Sequence, residues 1–146
     1  MQTLKHRFVG AGAAVVALAG IAAVAPGIQA AQAAGGAKKA TVVEGVSRSP
    51  VGNMLATTSG ASLYILPKGS CTGSCLGVWP PLFMPTGKTK PAGAKCLSTV
   101  DTAGGLQVAY HGKQLYTFAD DSGTSLNGNH VGGFVAAKIT KACPAT

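Results

Sequence analysis

A small, mostly β domain stapled by disulfides is the fold class this sequence predicts, and three observations predict it. Beyond residue 40, short β-branched and apolar runs alternate with clusters of Gly, Pro, Ser and Asn, the punctuation of strands and turns. No segment sustains a helical apolar period over three turns. Four cysteines, an even number, sit in a chain that opens like an exported protein, which points to two disulfides.

The N-terminal segment begins "MQTLKHR", carrying Lys5 and Arg7. An apolar run rich in Ala, Gly and Val follows from Phe8 to Val24, then Pro26, Gly27 and "IQAAQAA". A charged opening, an apolar middle and small residues before a cleavage point make residues 1–30 a secretory signal peptide, cut after Ala30 or after Ala33. A mature chain of about 115 residues would remain. The competing reading is an uncleaved anchor, because the run approaches the ~18 residues that span a bilayer. Its Ala and Gly content makes it weakly apolar, and the A-x-A pattern favours cleavage. No cysteine lies near the cut to carry a bacterial lipid anchor. The expectation is export, to the periplasm or the medium, with no stable membrane span after cleavage.

Residues 31–40, small and polar with Lys38 and Lys39 adjacent, read as a flexible tail. The domain proper is expected over 41–146, starting where β-branched residues collect in "TVVEGV". Within it, "SGASLYIL" (59–66) and "HGKQLYTF" (111–118) align on Gly60/Gly112, Leu63/Leu115 and Tyr64/Tyr116. Each follows a strand-like run, "NMLATT" or "LQVAY", so each reads as the second arm of a β-hairpin. Each is followed by a loop and an aromatic, Trp79 in one case and Phe134 in the other. The domain therefore reads as two related β-hairpin units. Strand alternation places Tyr116 and Phe118 on one face, with Leu115 and Thr117 on the other.

"QLYTFADD" fits a Y-x-(F/W/Y)-x-x-D signature through Tyr116, Phe118 and Asp121. Together with "GLQVAYHGKQLY", "SLNGNHVGGF" and "CTGSCLGVWPPL", it resembles the secreted-repeat family of exported bacterial proteins and lipoproteins, whose function is unassigned. The resemblance covers roughly residues 41–138. It implies a structural role for the three motif residues. The chain departs from the pattern where "LYILPKGS" keeps Tyr64 but has neither the second aromatic nor the acid. Phe134 stands where tryptophan is common, and Cys96 and Cys143 are additions.

The cysteines admit three pairings, of which Cys71–Cys75 and Cys96–Cys143 is the expected one. Thr72, Gly73 and Ser74 form a flexible spacer that lets the short loop close. Loop entropy assigns ~2 kcal/mol to the short bridge and ~4 kcal/mol to the long one. The alternative makes Cys71 and Cys75 an envelope copper or redox-accessory site. A redox pair wants C-x-x-C at a helix N-terminus, and this spacing has one residue too many and no helix expected beside it. Zinc and haem spacings are absent. Copper(I) could draw on Met54, Met84, His111 and His130, but their spacing does not group them. No metal or other cofactor is expected.

"VWPPL" makes Trp79 a core anchor with Tyr64, with Pro80 and Pro81 ending a strand, since neither donates to a ladder. Asp121 is expected to accept turn N–H groups. A calcium site with Asp120 lacks the ligand spacing of a calcium loop. The acids are Glu44, Asp101, Asp120 and Asp121, and only the last two are adjacent. Successive strand residues diverge, so they make a poor glycosidase pair. His111 and His130 have no G-x-S-x-G elbow to serve. No enzyme is expected. Without Lys5 and Arg7 the 12 basic residues become 10 against 4 acids, a formal +6. Lys68, Lys88, Lys90, Lys95, Lys113, Lys138 and Lys141 look scattered, without the basic stripe of a nucleic-acid module. The expectation is a secreted interaction or structural module, with anionic cell-envelope polymers as partners and no specific nucleic-acid target. The sequence sets no oligomeric state.

Overall fold

A computed structural model describes residues 36–143. Two antiparallel ladders carry most of the strand content. β2 (Val43–Arg48) pairs with β3 (Gly52–Thr57), and β6 (Leu97–Thr102) pairs with β7 (Gly105–Tyr110). Each second strand then turns into the "LY" arm foreseen above. β7 enters β8 (Lys113–Tyr116) through His111 and Gly112, with φ of 51° and 73°. Two central residues with positive φ define the type I′ turn, whose twist suits a tight hairpin. The first hairpin is one residue looser: Thr57 N donates to Ala61 O, and Gly60 turns the chain at φ 89°. Its second arm pairs Ser62 with Ala56 and continues into β4 (Tyr64–Ile65).

The two "LY" arms lie side by side, antiparallel, with Tyr64 opposite Tyr116 and Ile65 opposite Leu115. Matched insertions complete each unit. Beyond its turn each hairpin splays, and a later segment fills the gap between its arms. Leu82 N donates to Leu115 O (3.0 Å), and Leu82 O accepts from Val108 N (2.8 Å). In the other unit Ala137 N donates to Leu63 O (2.9 Å), and Ala137 O accepts from Leu55 N (2.9 Å). The bridges match too: Pro81 faces Tyr116, and Ala136 of β9 (Val135–Ala136) faces Tyr64. The chain is thus a small β domain of two related hairpin units, with a five-stranded sheet ordered β6-β7-β8-β4-β9.

These pairings correct the expectation for the proline pair. Pro80 and Pro81 begin the inserted segment instead of ending a strand. Thr117 N donates to Pro80 O and Leu82 N to Leu115 O, so Pro81 occupies a position whose missing N–H is not needed in the ladder. At the matching place Ala136 does have an N–H, and Asn129 Oδ1 accepts it.

Strand alternation splits the interior into two clusters. Leu55, Leu63, Leu115 and Ala137 gather with Val43 and Val108 in an aliphatic core. Their neighbours Met54, Tyr64, Tyr116 and Ala136 join Trp79 and Phe134 in an aromatic core. Each fully buried large apolar side chain here contributes roughly 1.5–3 kcal/mol of transfer free energy. A slip of one residue in either "LY" arm would exchange the two clusters, so burial fixes the register.

Two boundaries differ from expectation. Lys39 and Ala40 belong to β1 (Lys39–Thr41), which pairs in parallel with β5 (Lys90–Ala92), so order reaches into the segment read as a flexible tail. One helical turn, α1 (Cys75–Val78), occupies a stretch read as non-helical. The signal-peptide reading of 1–30 and the tail over 31–35 lie outside the described residues. Among the described residues no helix is long and apolar enough to cross a membrane.

Candidate functional site

Both disulfides have the expected partners. Cys71–Cys75 spans a Cα–Cα distance of 5.4 Å and Cys96–Cys143 spans 5.3 Å. Both bonds are compatible with a periplasmic or extracellular location, since disulfides persist in oxidising compartments. No cysteine is free. Cys71 is buried and belongs to the aromatic core, where the short loop turns into α1 through Cys75 N to Thr72 O. Trp79 N then closes that turn on Cys75 O at 2.8 Å. The short bridge therefore delivers the tryptophan to its place.

Trp79 and Tyr64 are core anchors as expected, 4% and 0% exposed. Trp79 stacks on Phe134 at 3.8 Å with an interplanar angle of 11°. Phe118 lies 4.6 Å away on a tilt, and Tyr64 meets the indole edge-on at 5.4 Å. Tyr116 completes the set edge-on to Phe134. The aromatics that follow the two hairpins thus pack face to face, joining the units.

Asp121 does what was expected and more. Its Oδ1 accepts from Asn127 N (2.8 Å) and from Ser125 Oγ (3.0 Å), closing the loop after β8. Its Oδ2 accepts the hydroxyl of Tyr64, 57 positions away in the other unit. Burial, reinforced by this carboxylate, pushes the Tyr64 phenol well above the usual tyrosine range. Asp120 contributes only its carbonyl, to Asn127 Nδ2. Among the described residues no group of three or more His, Cys, Asp or Glu is placed to hold a metal ion. Met54 is fully buried in the aromatic core and Met84 packs on the aliphatic one, so the structure does not bring the two thioethers together. His111 Nε2 meets Thr140 Oγ1 at 2.7 Å, and His130 N donates to Phe134 O.

Two features escaped sequence reasoning. Buried Arg48 donates from its guanidinium to Ser62 Oγ and Gly60 O, clamping the first hairpin turn. Ser62 Oγ in turn donates to Ser125 O, reaching the Asp121 loop. No local pattern announces a partner 14 positions away.

The second feature is electrostatic. The parallel ribbon of β1 and β5 sets Lys39 directly opposite Lys90. Lys38 and Lys88 flank them, Lys38 O accepting from Thr89 N (3.0 Å) and Lys90 N (3.3 Å). All four lysines are exposed. No acidic residue occurs in 36–43 or 84–100, the segments that form the ribbon and its approaches. Like charges opposed across a ladder destabilise it, so the arrangement presents cations at some expense to the ribbon itself. Lysines that look scattered along the sequence are concentrated in space, because one pair comes from the start of the domain and the other from its middle. No family model, curated protein or solved structure matches this chain.

Proposed function

We propose that this protein is an exported, non-catalytic interaction module that holds anionic cell-envelope polymers through the β1–β5 lysine ribbon. The observation that carries the reading is that exposed Lys39 stands opposite exposed Lys90 on the two-stranded ribbon, with exposed Lys38 and Lys88 flanking them. Four ammonium groups on a short ribbon suit a ligand with repeated phosphate or carboxylate charges, each lysine adding on the order of 1 kcal/mol near an anionic surface. Export rests on the signal-peptide pattern of residues 1–30, and a bacterial envelope setting on the resemblance carried by Tyr116, Phe118 and Asp121. The disulfides favour this reading over a copper or redox-accessory role, since Cys71 and Cys75 are bonded to each other with Cys71 buried in the aromatic core.

The test is binding to a purified polyglycerol-phosphate polymer across a salt series. Binding is expected at low salt and should weaken as ionic strength rises. The double substitution Lys39→Gln/Lys90→Gln should lower affinity by roughly thirtyfold, about 1 kcal/mol for each lysine. Lys68→Gln/Lys113→Gln, with the same charge change away from the ribbon, should have a much smaller effect. Equal losses from both pairs would reduce the reading to nonspecific attraction by net charge and overturn the ribbon as a site.

A further inference from the structure

A cleft of about 870 Å³ opens between the β2–β3 turn and the C-terminal segment. It shares no lining residue with the lysine ribbon. Its floor is Ile65, Val135 and Ala136, the paired residues of β4 and β9, and Val51 forms part of one wall. The volume is that of a small-molecule site, and most of the lining surface is apolar. The walls are held by the protein's own bonds. Tyr110 Oη accepts from Thr140 N at 2.9 Å, Thr140 Oγ1 meets His111 Nε2, and Cys143, which lines the cleft, is bridged to Cys96. A preformed wall spares a ligand the entropy of ordering it.

Charge selects the occupant. Among the described residues the lining includes Lys138, His111 and His130 and no Asp or Glu. The adjoining hollow, about 500 Å³, shares Tyr110 and Thr140 and adds Lys95 and Lys141, with no Asp or Glu among its described lining residues. An apolar floor beneath a cationic rim is complementary to a molecule with an apolar body and an anionic end. We propose that this cleft binds a small amphiphilic anion, an acyl chain bearing a carboxylate or phosphate head. The chain lies over Ile65, Val135 and Val51, and the head group sits at the Lys138 ammonium with the two imidazoles nearby. This is a second site with its own ligand class, and it stands or falls apart from polymer binding.

The experiment is a methyl NMR titration of the disulfide-bonded protein with three probes: decanoate below its micellar concentration, decyltrimethylammonium and acetate. Decanoate is expected to shift the Ile65, Val51 and Val135 methyls saturably. The cationic amphiphile, of equal chain length, should bind at least about tenfold more weakly, and acetate should leave these methyls unmoved. Lys138→Gln should weaken decanoate about tenfold and should not weaken the cationic probe, whose repulsion it relieves. Equal binding of the two amphiphiles, no effect of Lys138→Gln, or shifts gathered at exposed Leu76 and Val78 would each overturn the proposal. Lys39→Gln/Lys90→Gln should leave decanoate binding intact, which separates failure of this site from failure of the ribbon.

Discussion

Gly128 offers a quantitative check on the aromatic core, because the space a methyl group would need there is already filled. A Cβ at this position would stand 2.8 Å from Phe118 Cβ, 2.9 Å from Phe118 Cγ and 2.9 Å from Trp79 Cη2. Carbon pairs settle at about 3.5–4.0 Å, so three contacts must open by roughly 0.6 Å or more. Neither partner can yield cheaply. Phe118 Cβ is tied to a backbone held by Thr117 N to Pro80 O and Asp121 N to Phe118 O. Trp79 is backed by Phe134 at 3.8 Å and flanked by Tyr64. Overpacking of this kind costs typically 1–3 kcal/mol, and three clashes against fixed atoms place Gly128→Ala near the top, at about 3 kcal/mol. For a domain of this size that lowers Tm by roughly 10–20 °C.

Gly77 supplies the contrast. It is exposed in α1, and no atom lies within 4 Å of its would-be Cβ. Gly77→Ala should be neutral or stabilising by up to about 1 kcal/mol, since alanine loses less backbone entropy in a helical turn. Thermal unfolding followed by near-UV circular dichroism and by the fluorescence of Trp79, the sole tryptophan, reads both variants. If Gly128→Ala lay within about 0.5 kcal/mol of the parent, the range of an inert surface change, the stacked core described here would be refuted.

The remaining expectations concern the staples and the buried phenol. Cys96→Ser/Cys143→Ser opens a bridge of sequence separation 47 and should cost about 4 kcal/mol; Cys71→Ser/Cys75→Ser, with a separation of 4, should cost about 2 kcal/mol. Denaturant midpoints compare the two, and the reverse order would show that Cys71 placement in the aromatic core outweighs loop entropy. Tyr64 has a raised pKa in the folded protein, so above about pH 10, the ordinary tyrosine value, the unfolded chain releases this proton while the folded chain retains it. Stability from Tyr64 is therefore fully present below that pH and is lost as pH rises through the raised value. Denaturant midpoints between about pH 9 and 12 should fall less steeply for Tyr64→Phe than for the parent, and parallel curves would contradict the assignment.

How far the sequence discloses this molecule depends on the range of the interactions. The "LY" arms, their alternation and the anchoring role of Trp79 are legible because they follow from local pattern and from one large ring in a chain poor in aromatics. The cysteine pairing is legible because short spacing and flexible residues leave little choice for Cys71 and Cys75. The pairing of Lys39 with Lys90 is not, because a parallel ribbon joins segments about fifty residues apart and neither strand, at three residues, alternates long enough to show its face. The Arg48 clamp and the reach of Asp121 to Tyr64 are invisible for the same reason. The proline pair misleads because proline reads as a terminator, whereas an inserted segment with one unneeded N–H admits it.

The two units are unequally closed, and one of the differences lies at the facing tyrosines. Counting from the facing tyrosines, Gly69 stands in the first unit where Asp121 stands in the second. Asp121 crosses over to hold the hydroxyl of Tyr64. The reciprocal carboxylate is missing, and Tyr116 Oη instead donates to Gln114 Oε1 on its own strand, at 3.2 Å. A polar hollow of about 140 Å³ lined by Gly69, Gln114 and Tyr116 remains at that place. A neutral acceptor two residues away satisfies the buried phenol without tying the units together. The Tyr64 side of the junction therefore carries a side-chain bond to a carboxylate between units, whereas the Tyr116 side has the shared β4–β8 ladder and ring packing without one. Glycine at 69, at φ 88°, instead turns the chain toward Cys71. A single Asp121 thus supplies the carboxylate of this junction, closing its own loop through Ser125 and Asn127 while reaching across to Tyr64.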